Sequence, residues 1–91
     1  MKRLEKTFKA FANRRRLAII TLLKKCKELT VSEIAEKIKL SFKATSKHLN
    51  LLANSDVLEK EQRSLEMFYR LNPEADSTIH HLVKAVSNSR E

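Results

Sequence analysis

Residues 30–52 read TVSEIAEKIKLSFKATSKHLNLL, and the spacing of apolar residues within that stretch decides the fold. Val31, Ile34, Ala35 and Ile38 recur at intervals of three and four, which puts them on one face of a short helix over 31–38. Thr30, followed three residues on by Glu33, forms a capping box in which each side chain satisfies a backbone N–H left unpaired at the helix start. The pattern breaks at Lys39-Leu40-Ser41. Ser41 then caps a helix over 42–54 that turns Leu49 and Leu52 inward and carries Lys43, Thr45, Lys47 and Asn50 among its polar positions. Two short helices joined by such a turn make a helix-turn-helix candidate.

In a motif of this kind the first helix is a brace, and the second enters a DNA major groove by its N-terminal half, where it needs short polar and basic side chains. Phe42 to His48 supply two cations, two hydroxyls and an imidazole, and no acid lies between Lys39 and Asp56. Lys43, Ala44, Thr45, Lys47 and His48 are therefore the candidate base-reading residues: lysine donates to guanine edges, and threonine offers thymine both a hydroxyl and a methyl. The unpaired N–H groups of a helix start also suit phosphate, which adds Ser32, Ser41 and Ser46 as backbone contacts. An ordinary amphipathic helix whose polar side is merely wet has the same spacing. His48 equally suits a base, a phosphate or a neighbouring backbone group.

Outward from this stretch, Leu4, Phe8 and Phe11 recur at helical spacing over about 2–12, and Asn13 caps a helix over 14–27 containing Leu17, Ile20 and Leu23. On the other side, Val57 to Glu61 and Glu66 to Leu71 are rich in β-branched or aromatic residues, and Gln62-Arg63-Ser64 separates them as the turn of a hairpin. Such a hairpin is a wing, with Arg63 at its tip and Lys60 beside it in reach of the DNA backbone. Tyr69 suits a core or wing-anchor aromatic better than a nucleotide-stacking platform. Pro73 fits the first turn of a last helix, 74–89, in which Ile79, Leu82, Val83 and Val86 follow the helical stripe. The expected architecture is mainly α with a small β-hairpin, a winged helix-turn-helix forming one domain over 1–91.

Composition narrows the function. Of 91 residues, 42% are apolar and 33% charged, a balance that fits a folded domain. The net charge is +8, and residues 1–30 hold all of the excess. A pI near 9.9 suits a polyanionic partner, because lysine and arginine that neutralise phosphates release counterions. With no glycine there is no Gly-rich phosphate loop. The longest apolar run, Leu17 to Ile20, is far short of the roughly 20 residues of a membrane span, and the first residues lack a signal-peptide stretch. One cysteine, Cys26, leaves no internal disulfide; it suits a core or boundary residue, with a redox thiol as the minor alternative. A cytoplasmic protein with no cofactor is expected. No nucleophile–base pair or paired carboxylates are placed by a motif, so an enzyme is not expected.

From Phe8 to Leu71 the chain resembles the ArsR-type winged-helix transcriptional regulators. The matching segments are Phe11 to Leu17 with Ile19-Ile20 and Leu22-Leu23, then Val31 to Ala35, Leu40-Ser41, Ser46 to Leu49, Leu51-Leu52, and Phe68 to Leu71 at the end of the wing. The resemblance implies a homodimer built on the first and last helices, with Leu4, Phe8, Phe11, Ile79, Leu82, Val83 and Val86 as interface residues. It also implies two recognition helices entering successive major grooves of a palindromic operator about 34 Å apart, and action as a repressor. It implies that a basic residue of the Arg14-Arg15-Arg16 run, with Arg14 and Arg15 the candidates, either approaches phosphate or pairs with an acid, a solvated face being the alternative. Helix stability alone does not explain the run, because its charge opposes the helix dipole.

The chain departs from that family at its metal sensor. Thr30 and Ser32 stand where many members carry a cysteine pair, and hydroxyls do not hold soft metal ions. Asp76, His80 and His81 on the last helix lack a distal pair, so no metal is expected. Lys39, Asp56 and Ser64 also replace glycines often used at turns, and are expected to carry strain if they keep a positive φ. The alternative to DNA binding is a winged-helix protein-interaction module, favoured by Glu59, Glu61 and Glu66 in the wing, which would repel phosphate if they faced a duplex.

Overall fold

In the computed structural model, which describes residues 1–89, every helix after the first starts at a capping side chain. Asn13 lies between α1 (Lys2–Phe11) and α2 (Arg14–Lys25), its Oδ1 accepting the N–H groups of Arg15 at 2.9 Å and Arg16 at 3.1 Å. Thr30 closes β1 (Leu29–Thr30) and opens α3 (Val31–Ile38). Its capping box is complete: the Glu33 N–H donates to the Thr30 hydroxyl at 3.2 Å, and the Thr30 N–H to the Glu33 carboxylate at 2.8 Å. Ser41 Oγ accepts the Ala44 N–H at 3.1 Å to start α4 (Phe42–Asn54). The hairpin β2 (Leu58–Arg63) and β3 (Glu66–Leu71) follows, then α5 (Ser77–Ser87). The expected winged helix-turn-helix is the fold adopted.

Three features differ from expectation. The sheet has three antiparallel strands in the order β1-β3-β2, with Leu29 opposite Tyr69 and Thr30 opposite Phe68. The hairpin turn is Ser64-Leu65, so Gln62 and Arg63 belong to β2, with Arg63 opposite Glu66. The last helix starts at Ser77, not at 74, because Asp76 is a stronger cap than Pro73 is a starter: its carboxylate accepts the Ile79 N–H at 3.0 Å. Pro73 sits instead in a turn where Asn72 Oδ1 accepts the Glu74 N–H at 3.0 Å.

Lys39, Asp56 and Ser64 adopt φ of 57°, 64° and 57°. The first two terminate α3 and α4 by the same closure, in which Leu40 N–H reaches Ala35 O and Val57 N–H reaches Leu52 O, both at 3.0 Å. A side chain in this region strains the backbone by roughly 1 kcal/mol. Lys39→Gly is expected to raise Tm by up to about 5 °C in a calorimetric scan; an unchanged or lower Tm would show that the turn is not strained.

The core lies where the helices meet the sheet. Ile19 and Ile20 of α2, Ile34 of α3, and Leu49 and Leu52 of α4 are each 0% exposed, and Val57, Leu58, Tyr69 and Ile79 close it from the wing and α5. Among the described residues, no helix is long and apolar enough to cross a membrane.

Candidate nucleic-acid interface

The two flanks of α4 differ in chemistry. Thr45, Leu49 and Leu52 are buried, whereas Lys43, Lys47, Asn50 and Leu51 are exposed. Phe42, at the helix start, is 59% exposed. No carboxylate stands on the helix. Ser41 is exposed, Ala44, Ser46 and His48 are half-buried, and Ser32 is exposed on the first turn of α3. Lys43, Lys47, Ser32 and Ser41 are thus accessible on the helix-turn-helix, and Ser46 partly so.

Thr45 does not belong with the base-reading residues. It is 0% exposed, and its hydroxyl has no hydrogen-bond partner. Its methyl, four residues before Leu49 on the inward stripe, packs as an apolar group does, so neither group is available to a thymine in this conformation.

The other cations gather in two grooves, one beside α4 and one between α2 and α3. Lys47 and Asn50 share a groove with Lys2, Lys6 and Lys9 of α1 and with Arg16. Arg14 and Arg15 line a second groove with Lys25 and Lys37, between α2 and α3. Arg16, which the sequence groups with Arg14 and Arg15 without giving it a separate role, is the best-anchored of the three. Its Nε donates to Ala10 O at 2.7 Å and its Nη2 to Lys9 O at 3.0 Å, satisfying carbonyls at the end of α1, while Nη1 lies 3.2 Å from His48 Nδ1.

The hairpin is also two-sided. Leu58, Lys60 and Gln62 pair with Leu71, Tyr69 and Met67, so they share the face on which the Tyr69 hydroxyl donates to Asn50 Oδ1 of α4 at 3.0 Å. Tyr69 is 2% exposed, and burial pushes its phenol pKa up. It is the anchor expected of it. Glu59, Glu61 and Arg63 lie on the opposite face with Arg70, Phe68 and Glu66.

That opposite face is an ionic cluster, and it corrects the placement of Arg63. The Arg63 guanidinium is not a free cation at the tip: it grips Glu28 through two bonds of 2.7 and 3.0 Å and Glu61 at 3.0 Å, with its Cζ over the Phe68 ring, 4.4 Å from the centroid. Arg70 bonds Glu59 at 2.6 Å, Glu61 at 3.1 Å and Glu28 at 3.4 Å. Hydrogen bonding to Arg63, above all, holds the Glu28 and Glu61 carboxyls below their ordinary range. The wing acids are thus turned from the α4 side, with Glu59 and Glu61 paired and Glu66 without a salt bridge among the described residues, while Lys60, likewise without a salt-bridge partner among them, remains on the α4 side.

The proposed interface stripe on α1 and α5 divides. Leu4 and Phe8 are 38% and 49% exposed, and Leu82 and Val86 are half-buried. Phe11, Ile79 and Val83, at 6%, 3% and 7%, face the chain's own core and leave the set of surface apolar residues. The stripe straddles the core boundary, with one edge sealed and the other outward. The Thr30 hydroxyl is occupied by Glu33, and the described residues contain no group of three or more His, Cys, Asp or Glu side chains placed to hold a metal ion.

Comparison with known proteins adds three results. The family model described as "Bacterial regulatory protein, arsR family" matches residues 13–60, from the α2 cap into the wing. The arsenic resistance transcriptional regulator ArsR1 of Pseudomonas putida is 27% identical over 84 residues, which cover 92% of this chain and 66% of that protein, so the chain spans slightly under two thirds of that relative. Among solved structures, HlyU from Vibrio cholerae superposes with a TM-score of 0.79 at 27% identity, covering 93% of this chain and 88% of that one. The homodimeric winged helix-turn-helix DNA-binding domain of Mb0332 from Mycobacterium bovis gives 0.79 at 27% identity, with coverage of 93% and 75%. The transcriptional repressor PagR of Bacillus anthracis gives 0.76 at 26% identity, with 93% of each chain covered.

Proposed function

The chain belongs to the arsR family of bacterial regulatory proteins, and on that premise we propose that it is a homodimeric repressor that binds double-stranded DNA sequence-specifically through α4 and has no metal sensor. The observation that carries this reading is the division of α4: a sealed inward stripe, and an outward one bearing Lys43 and Lys47 with no acid beside them. Lys43, Ala44, Lys47 and His48 face the bases. Arg14, Arg15, Ser32, Ser41, Ser46 and Lys60 hold the phosphates. Contacts of the second kind supply affinity without sequence information, and the first kind supplies specificity. Leu4, Phe8, Leu82 and Val86 bury their apolar surface against a second copy, as the homodimer reported for the Mycobacterium bovis domain suggests. Thr30 and Ser32, with Thr30 already bonded to Glu33, favour a regulator that responds to something other than a soft metal ion.

DNA selected from a random pool, compared with unselected duplex, tests the reading by gel shift across a salt series. Wild type is expected to bind both, with affinity that falls steeply as salt rises. Lys47→Ala should weaken selected DNA roughly tenfold more than random DNA, whereas Lys60→Ala should weaken both alike and reduce the salt slope by about one. Arg63→Ala, removing a cation already paired with Glu28 and Glu61, should leave the slope near that of wild type. Failure of wild type to bind any duplex at low salt would overturn the proposal.

A further inference from the structure

We propose that Arg16 is a positioning residue for base reading: it fixes His48 as the Nε2–H tautomer, so that α4 offers one neutral imidazole N–H to an acceptor on the DNA. The inference rests on the DNA-binding reading and adds to it the state of one reading group and the residue that sets it.

A guanidinium carries five N–H donors and no acceptor. At 3.2 Å, Arg16 Nη1 bonds His48 Nδ1 only if that nitrogen presents its lone pair, which leaves the proton of the neutral ring on Nε2. Arg16 cannot readily swing aside, because its bonds to Ala10 O and Lys9 O tie the guanidinium to the end of α1. Nε2, on the other side of the ring, has no hydrogen-bond partner among the described residues. His48 lies one turn beyond Ala44 and next to Lys47, on the half of α4 that enters the groove.

The surroundings disfavour the charged ring. Partial burial, then Arg16, Arg15 and Lys47, hold the imidazole pKa below its ordinary value. The groove that contains Arg16 and Lys47 adds Lys2, Lys6 and Lys9 from α1, and its one acid, Glu5, is paired with Lys9 at 3.6 Å. Protonation would remove the lone pair and set a second cation against the guanidinium. The fold therefore favours neutral His48: its stabilising contribution is present above the ordinary histidine value and is lost as pH falls below it. A single neutral N–H donates to guanine O6 or N7, adenine N7 or thymine O4 and finds no acceptor in the cytosine amino group; held in one direction, it also selects for position, which a flexible lysine does not.

Long-range proton–nitrogen NMR on the free protein tests the tautomer, with the His48 signals assigned by their loss in His48→Gln. Wild type should show His48 as Nε2–H with a titration midpoint below the ordinary histidine range. Arg16→Gln, checked for fold by circular dichroism, should show mixed tautomers and a raised midpoint. It should also lose roughly tenfold in preference for selected over random DNA. His48→Gln, whose amide nitrogen stands near the position of Nε2, keeps a donor without a titrating ring. Whatever preference it retains should be constant across about pH 5.5 to 7.5, whereas that of wild type falls toward the acid end as the ring protonates. An Nδ1–H ring in wild type, an unchanged tautomer in Arg16→Gln, or DNA binding with undiminished preference in that variant would overturn the inference. A preference that varies with pH in His48→Gln as it does in wild type would do the same. Absence of DNA binding by wild type would instead overturn the reading on which it rests.

Discussion

Phe8→Glu is expected to convert the protein into a folded monomer with on the order of a hundredfold less affinity for DNA carrying two half-sites. Phe8 is 49% exposed on α1, so a carboxylate there meets water in the monomer and the fold is kept. In a twofold dimer the same position is repeated across the axis, and two carboxylates would be desolvated where two rings had been buried. Once the subunits separate, the second recognition helix no longer binds at the high effective concentration set by the first. Sedimentation checks the mass, and titration against one and two half-sites checks the coupling: single-half-site affinity should change little. A variant that stays dimeric, or that keeps full affinity for paired half-sites, would remove α1 from the interface.

Leu49→Ala is expected to cost about 2–5 kcal/mol, the range for emptying a buried leucine site. Leu49 is 0% exposed and sits between Thr45 and Leu52 on the inward stripe of α4, against Ile34 and the core residues of α2. A domain of this size has only roughly 5–15 kcal/mol in total, so the loss takes a large share of it. Urea unfolding should show the midpoint falling with little change of slope. DNA affinity of the fraction still folded should be close to wild type, since the side chain is wholly buried on the inward stripe. A cost below about 1 kcal/mol would mean that α4 is not packed as described.

What the sequence made legible were the elements in which local chemistry and periodicity agree. Thr30 with Glu33, and Ser41 before an apolar stripe, located α3 and α4 because cap and core face point to the same boundaries. β1 was missed because two residues are too few to show a period, and because Thr30 is at once a strand residue and a cap. The start of α5 was misplaced because Pro73 and Asp76 both read as helix openers, and the one that accepts a backbone N–H prevailed. Thr45 was misassigned because its formula is polar while its position on the stripe is apolar. Arg63 was misassigned because its partner, Glu28, is 35 residues away and β2 runs two residues further than its composition indicated. The same blindness to distant pairs hid Arg16: nothing near it in sequence announces a contact with His48, 32 residues later. Of the acids that had favoured a protein-interaction module, Glu59 and Glu61 prove to be paired, and all three lie on the side of the wing away from α4.

The short β1 strand has a consequence for chimaera design. Leu29 and Thr30 pair with the wing at β3, Glu28 beside them is held by Arg63 and Arg70, and Thr30 is also the first anchor of α3. A hairpin transplanted alone from a relative would leave Glu28 without its counter-ions and change the strand opposite the α3 cap. The exchangeable module is therefore discontinuous, made of residues 28–30 together with 58–71, and only a graft that carries both pieces would swap wing properties without disturbing the reading head.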